Sequence, residues 1–281
     1  MLASQVTALA QPLRPATRSE GAGAQFALAL AQLAATHRPS RSPFFQHLEE
    51  CPAKVARNPR LLGRIHLVYQ AAMHATRAAV YHLPHLDSPA LRQRKLQIFI
   101  DDDGLAGGDT HHYQLTRAFQ NMGARLLLSD EQFGGSDELC RHLDPVTARF
   151  VRLAGRLYRR SLGAWCVVEL LSDDWMRALA SAFAVHYPRI LQEPYFADCF
   201  GNHVEERHAE EALEVTCAVL RQKPGLLAGT LQDSGRMAAA LDDIWATLDG
   251  ILCERLTPGQ RSASAGTKTR SRAFRKHHPS T

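Results

Sequence analysis

Helical spacing runs through nearly every apolar segment of this chain, and no stretch alternates with period two for long enough to form a strand. That pattern constrains the fold more than any other feature. Residues 24–37 are rich in Ala and Leu, the composition of a good helix former. Phe44 to Glu50 predicts a short helix, broken at Pro52. Across residues 60–82, Leu62, Ile65, Tyr69, Met73 and Val80 fall on one face of an amphipathic helix that Pro84 ends. Ser88-Pro89 opens the next helix as cap and first turn, running to about Asp102 before Gly104, Gly107 and Gly108. Thr110 caps a segment that closes at Gly123. Pro145 to Tyr187 is a long helical pattern with a break at Ser161-Leu162-Gly163, and Pro188 and Pro194 frame a loop. Residues 195–222 and 234–256 complete the set. The expectation is an all-α, single-domain bundle of seven to eight helices.

Apolar residues make up 45% of the 281 positions and charged residues 22%, as in ordinary globular proteins. The formal charge of +5 invites a nucleic-acid reading. It sits at one end: residues 257–281 hold six basic residues and no acid, in a stretch rich in Ser, Thr, Gly and Pro. Such a composition buries too little apolar surface to offset ordering entropy. We therefore expect residues 1–22 to be a flexible leader, residues 23–256 the helical domain and residues 257–281 a disordered basic tail. The folded body is close to neutral, which argues against specific nucleic-acid binding.

No run approaches 18 apolar residues, so no membrane span is expected. The start lacks the apolar core of a secretory signal. The six cysteines are scattered with no C-x-x-C pair, which disfavours a zinc ribbon or redox dithiol. A cytoplasmic protein with reduced thiols follows as the expectation.

Three places combine carboxylate and imidazole. One runs from Asp101-Asp102-Asp103-Gly104 to His111-His112. Another is Glu169, which interrupts a run that is apolar on every side from Gly163 to Leu171. A buried lone carboxylate is costly and needs a partner or a metal. The third is His203-Val204-Glu205-Glu206-Arg207-His208, where Glu205 and His208 stand at i and i+3. Bundle di-iron proteins use that Glu-x-x-His device to collect a carboxylate and an imidazole from one helix. Each place also has an ordinary structural reading: an ion-paired core Glu, a solvated helix face, a solvated cap. Mixed carboxylate and imidazole donors suit iron or manganese, and the absence of Cys donors argues against structural zinc.

Taken in order, the motifs resemble the haem-oxygenase-like di-iron oxidases. The resemblance spans roughly residues 40 to 225. It rests on Pro43-Phe44-Phe45, the acidic segment ending in glycines, His112-Tyr113-Gln114-Leu115, the Gly163 to Glu169 helix, Tyr195-Phe196, and the His208 to Glu211 segment. It implies a haem-oxygenase-like fold and metal ligands at Asp102 (with Asp103 as fallback), His112, Glu169, Glu205 and His208. Two departures stand out. Asp102 replaces the usual Glu, and Gly201 stands four residues before Glu205, where the family has His. On a continuous helix, positions 201, 205 and 208 would share a face. His203 would lie about 160° round from Glu205 and would reach the site only through a local bend.

The leading expectation is an enzyme, an iron-dependent oxidase or oxygenase. It would hold one or two Fe(II) ions, take dioxygen as co-substrate and oxidise a small organic molecule by N-oxygenation, desaturation or oxidative C–C cleavage. An external electron donor and a homodimer are compatible with it. Trp165, Phe196 and Phe200 are candidate pocket walls, with core packing as the alternative. Two other readings stay open. One is a metal-free relative of the thiaminase II or quinone-synthase type. The other is a non-catalytic binding protein with a degenerate site.

Overall fold

A computed structural model describes residues 21–102, 109–133, 136–201 and 203–256. The expected basic tail, nearly all of the expected leader, and Asp103 lie outside these residues. No strand occurs among the described residues. The helices are α1 (Ala22–Thr36), α2 (Pro43–Glu50), α3 (Ala53–Ala56), α4 (Pro59–His74), α5 (Pro89–Asp102) and α6 (His111–Asn121). They continue with α7 (Ser136–Leu139), α8 (Pro145–Arg160), α9 (Leu162–Ala184), α10 (Pro194–Gly201), α11 (Val204–Gln222) and α12 (Leu227–Cys253).

Local chemistry sets many of the starts. The side chains of Ser42, Asn58, Thr110, Asp144 and Ser161 each accept a hydrogen bond from a backbone N–H of the first turn that follows. Proline stands at the beginning of α2, α4 and α8, where its missing N–H costs nothing. The break expected near Ser161 is real, and Ser161 serves both as the C-cap of α8 and the N-cap of α9.

Three boundaries differ from the sequence reading, and the helix count exceeds seven to eight because one expected segment splits and two four-residue turns, Ala53–Ala56 and Ser136–Leu139, are helical. The helix expected over residues 60–82 is α-helical only to His74. It then tightens into a 3-10 segment, Ala75–His85, that contains Pro84. The i→i+3 pattern accommodates a chain approaching a residue with no N–H to donate. Residues 195–222 form two helices, because His203 adopts φ 51, a left-handed conformation that no right-handed helix passes through. The last helix begins at Leu227 rather than near 234. Thr230, Asp233 and Ser234, at the polar start of this helix, are buried and satisfied. Thr230 and Ser234 donate to the carbonyls of Leu226 and Thr230 at 2.9 and 3.0 Å, and Asp233 accepts from Arg160 Nε at 2.9 Å.

α9 is the centre of the fold. Every residue from Leu162 to Leu171 is buried, as a helix apolar around its whole circumference must be. It packs chiefly on α11 and α12. Gly163 permits a close approach to α12: a Cβ there would stand 2.2 Å from the carbonyl oxygen of Thr230. Trp165, Trp175 and Trp245 are among the largest side chains fully removed from water. Their burial supplies a large share of the apolar driving force, since aromatic side chains hide the most area per residue. No described helix is long and apolar enough to cross a membrane.

Candidate metal centre

α5 ends in Asp101 and Asp102, two carboxylates at the negative pole of a helix dipole, where an anion is disfavoured unless a cation stands nearby. α9 contributes Glu169. α11 contributes Glu205 in its first turn, where a carboxylate is favoured, and His208 one turn later. Glu169, Glu205 and His208 are all buried, with side chains aimed at a common space. One donor atom from each lies within 4.8 Å of the others. His208 Nδ1 stands 4.0 Å from both Asp102 Oδ1 and Glu169 Oε2. His111 Nδ1 lies 3.2 Å from the same Asp102 oxygen.

The remaining nitrogen of His208, Nε2, lies 3.2 Å from Asp101 Oδ2. Asp101 also accepts from Gln97 Nε2 at 2.9 Å and Arg207 Nη2 at 3.1 Å. This leaves Nδ1 facing the other carboxylates, the arrangement that orients a metal-binding imidazole.

Charge in this space is expensive. Burial, then the neighbouring charge of Asp102, pushes the Glu169 carboxyl up to about 8, with His208 opposing. For His208, burial works against the imidazolium, but Asp102, Glu169 and Glu205 outweigh it and raise its pKa. Burial also opposes the charge on Asp101. Its hydrogen bonds from Gln97, His208 and Arg207 prevail and hold it below the usual value. Asp101 has Arg207 beside it, and the buried Lys95 acts on Glu169, yet burial and the neighbouring carboxylates still hold Glu169 well above its ordinary value. A divalent cation would supply the charge that protons otherwise provide, so the donor set fits a hard or borderline metal.

Beside these carboxylates lies a cleft with about 810 Å³ of empty space, part of it open to solvent. Phe99, Val168, Trp175, Met176 and Tyr195 supply apolar and aromatic walls, and Asp102, Glu169 and Glu205 one polar end. The wall is stiffened by a hydrogen-bonded set. Tyr69 and Tyr195 share a hydroxyl contact of 3.0 Å, and Trp175 Nε1 donates to Tyr69 at 3.2 Å.

His112 lines the same cleft as Asp102, Glu169 and Glu205. Gln70 Nε2 bonds to its Nδ1 and to its carbonyl oxygen, and its ring packs edge-on to Phe133 at 5.2 Å. Its neighbour His111 is the imidazole beside Asp102, because one helical residue rotates a side chain by about 100°. Gly201 ends α10, so it shares no helical face with Glu205 and His208. The expected 201/205/208 face is therefore corrected, and a His at position 201 would not occupy the same helix. His203 is exposed and lies 2.8 Å from Glu206 Oε2, outside the cluster. Trp165 and Phe196 are core residues rather than cleft walls, and the side chain of Phe200 lies outside those described.

The sequence reading missed Lys95. Its side chain is fully buried, with Nζ 3.2 Å over the ring centroid of Trp165 and without a hydrogen-bond partner. Burial lowers its pKa to about 7, while the charge of Glu169 opposes the shift. The signal was present. Lys95 falls in the inward phase of α5 with Leu91, Ile98 and Asp102, at spacings of three and four residues.

No protein-family model, curated protein or solved structure matches the chain. The functional reading therefore rests on the arrangement of side chains.

Proposed function

We propose that the chain is an iron-dependent oxidase or oxygenase, the activity that its motif order implies. The observation that carries this reading is the convergence of buried Glu169, Glu205 and His208, with Asp102 alongside, at the polar end of a cleft. Asp102, Glu169, Glu205 and His208 would hold the ion, and His111 stands ready to join beside Asp102. Bound ferrous iron would supply the dioxygen-activating redox chemistry.

The protein's own groups have distinct tasks. Asp101 fixes the His208 ring by accepting from Nε2, so that Nδ1 faces the ion. Glu169 and Glu205, desolvated by their neighbours, offer carboxylate oxygens that water cannot easily compete for. Phe99, Trp175 and Met176 hold an apolar substrate portion against the carboxylate end and keep bulk water out. The Tyr69–Tyr195 pair keeps that wall in place.

The test is anaerobic reconstitution with ferrous iron, followed by measurement of iron bound per chain. Tight binding that Glu169→Ala abolishes supports the reading. Binding no higher than that of the variant overturns it.

A further inference from the structure

A second convergence of donor atoms lies away from the carboxylate cluster, where the middle of α2 meets the end of α12. His47 Nδ1 stands 2.6 Å from Asp249 Oδ1. Cys253 Sγ lies 3.6 Å from the same nitrogen and 3.8 Å from the same carboxylate oxygen. Asp249 and Cys253 are four residues apart on α12 and share a face. His47 comes from more than 200 residues earlier in the chain.

The choice of nitrogen decides what these three groups can do together. In a Cys-His-Asp nucleophile system the imidazole bridges, with one ring nitrogen toward the thiol and the other toward the carboxylate. Here Nδ1 faces both. The thiol, the imidazole and the carboxylate therefore form a triangle around one point, not a proton-relay line. From this geometry we infer that His47, Asp249 and Cys253 form a zinc-binding site with water as fourth ligand. Bond lengths of about 2.3 Å to sulfur and about 2.0 Å to nitrogen and oxygen place tetrahedral ligand atoms roughly 3.3 to 3.5 Å apart. The two sulfur distances are already near that value. The His47–Asp249 pair has only to open slightly, exchanging its hydrogen bond for two bonds to the ion. Binding turns the Cys253 thiol into a thiolate, releasing its proton to solvent, and the proton that His47 Nδ1 shares with Asp249 passes to Nε2, so that Nδ1 offers its lone pair. The side chains of His47 and Asp249 are 14% and 22% exposed, which leaves an approach for the ion and the water. A thiolate with imidazole and carboxylate selects borderline zinc over the harder ions suited to the carboxylate cluster.

Cobalt(II) titration of the full-length chain, anaerobically and with thiols reduced, tests the inference. A thiolate-to-cobalt charge-transfer band should rise to saturation at one equivalent and be bleached by zinc. The band should persist in Glu169→Ala and vanish in Cys253→Ser. Loss of the iron reading would thus leave this result untouched. No thiolate band in the wild-type chain, or a band that survives Cys253→Ser, overturns the assignment. If the serine variant does not fold, alkylation of Cys253 in the wild-type protein, followed by peptide mass analysis, decides. Zinc should block the modification, and equal labelling with and without zinc overturns the site.

Discussion

Glu169 Oε2 and His208 Nδ1 stand 4.0 Å apart on neighbouring helices, too far for a hydrogen bond and within the span of two ligands each about 2 Å from one ion. The contact joins a buried carboxylate of α9 to an imidazole that Asp101 holds from its other side. A cation between them would replace the proton on His208, pairing with the Glu169 carboxylate and taking the imidazole lone pair. That relationship leads to the following expectations.

The chain should bind one ferrous ion rather than two. His203 is turned to solvent, and the residue at 201 belongs to another helix. Iron analysis should give close to one ion per chain, and His203→Ala should leave that value unchanged. Two tightly bound ions, one lost in His203→Ala, would sink this expectation.

Asp101→Asn should weaken iron binding by about 10- to 100-fold, the usual effect of loosening a ligand's supporting partner. The variant keeps side-chain size and removes only the charge that pairs with His208 Nε2 and Arg207. Ferrous titration monitored against a competing chelator measures it. Unchanged affinity would show that the His208 ring is held by packing alone.

His111 and His112 make a direct contrast. His111→Ala should lower iron affinity, because its Nδ1 lies 3.2 Å from Asp102. His112→Ala should spare the iron and instead disturb Gln70 and the packing on Phe133. The opposite pattern would assign the ligand as the motif resemblance implies.

In the metal-free protein Glu169 should contribute stability that is lost as pH rises from about 4.5 to about 8. Its folded-state pKa is raised from the ordinary 4.5 to about 8, so at this group the folded state holds the proton that the unfolded chain has released, and each rise in pH favours unfolding. His66 and Lys95, whose pKa values burial lowers to about 3 and about 7, act in the opposite sense, so the Glu169 contribution is read as a difference. In thermal melts the stability of Glu169→Gln relative to wild type should grow across this window, and a divalent ion should restore the wild type. A difference independent of pH over that range would contradict it.

Lys95→Met should stabilise the protein at neutral pH, by about 1–3 kcal/mol, since it removes a buried amine without a hydrogen-bond partner and keeps the apolar stem. Because burial lowers the Lys95 pKa from 10.5 to about 7, the wild-type chain recovers stability as pH rises between those values. The gap between variant and wild type should accordingly narrow toward pH 10. Denaturant melts at pH 7 and pH 10 measure both numbers.

Much of the helical layout was readable from residue order. Thr110 announces a helix start by chemistry that acts over three residues, and the structure keeps it, as it keeps the break at Ser161. The buried circumference of α9 was likewise plain from its unbroken apolar run. The errors fell where a single backbone torsion decides. His203 in the left-handed region splits what periodicity reads as one helix, and no residue type there demands it. At the candidate site, Glu169 stood out because an acid in an apolar run is energetically conspicuous. The choice between His111 and His112 was a matter of one residue in helical phase, which the start of α6 controls.

The sequence by itself determined the helical character of the described residues, the Thr110 cap, the break at Ser161 and the burial of Glu169. These follow from propensity, periodicity and desolvation, all of which act locally or through composition. Only the tertiary structure decided which acids and imidazoles meet. Asp101, Asp102, Glu169 and His208 come from three helices, and His47 meets Cys253 across 206 positions. Such meetings depend on how helices cross, and crossings are set by close packing such as that of Gly163 against Thr230, which no short-range pattern encodes.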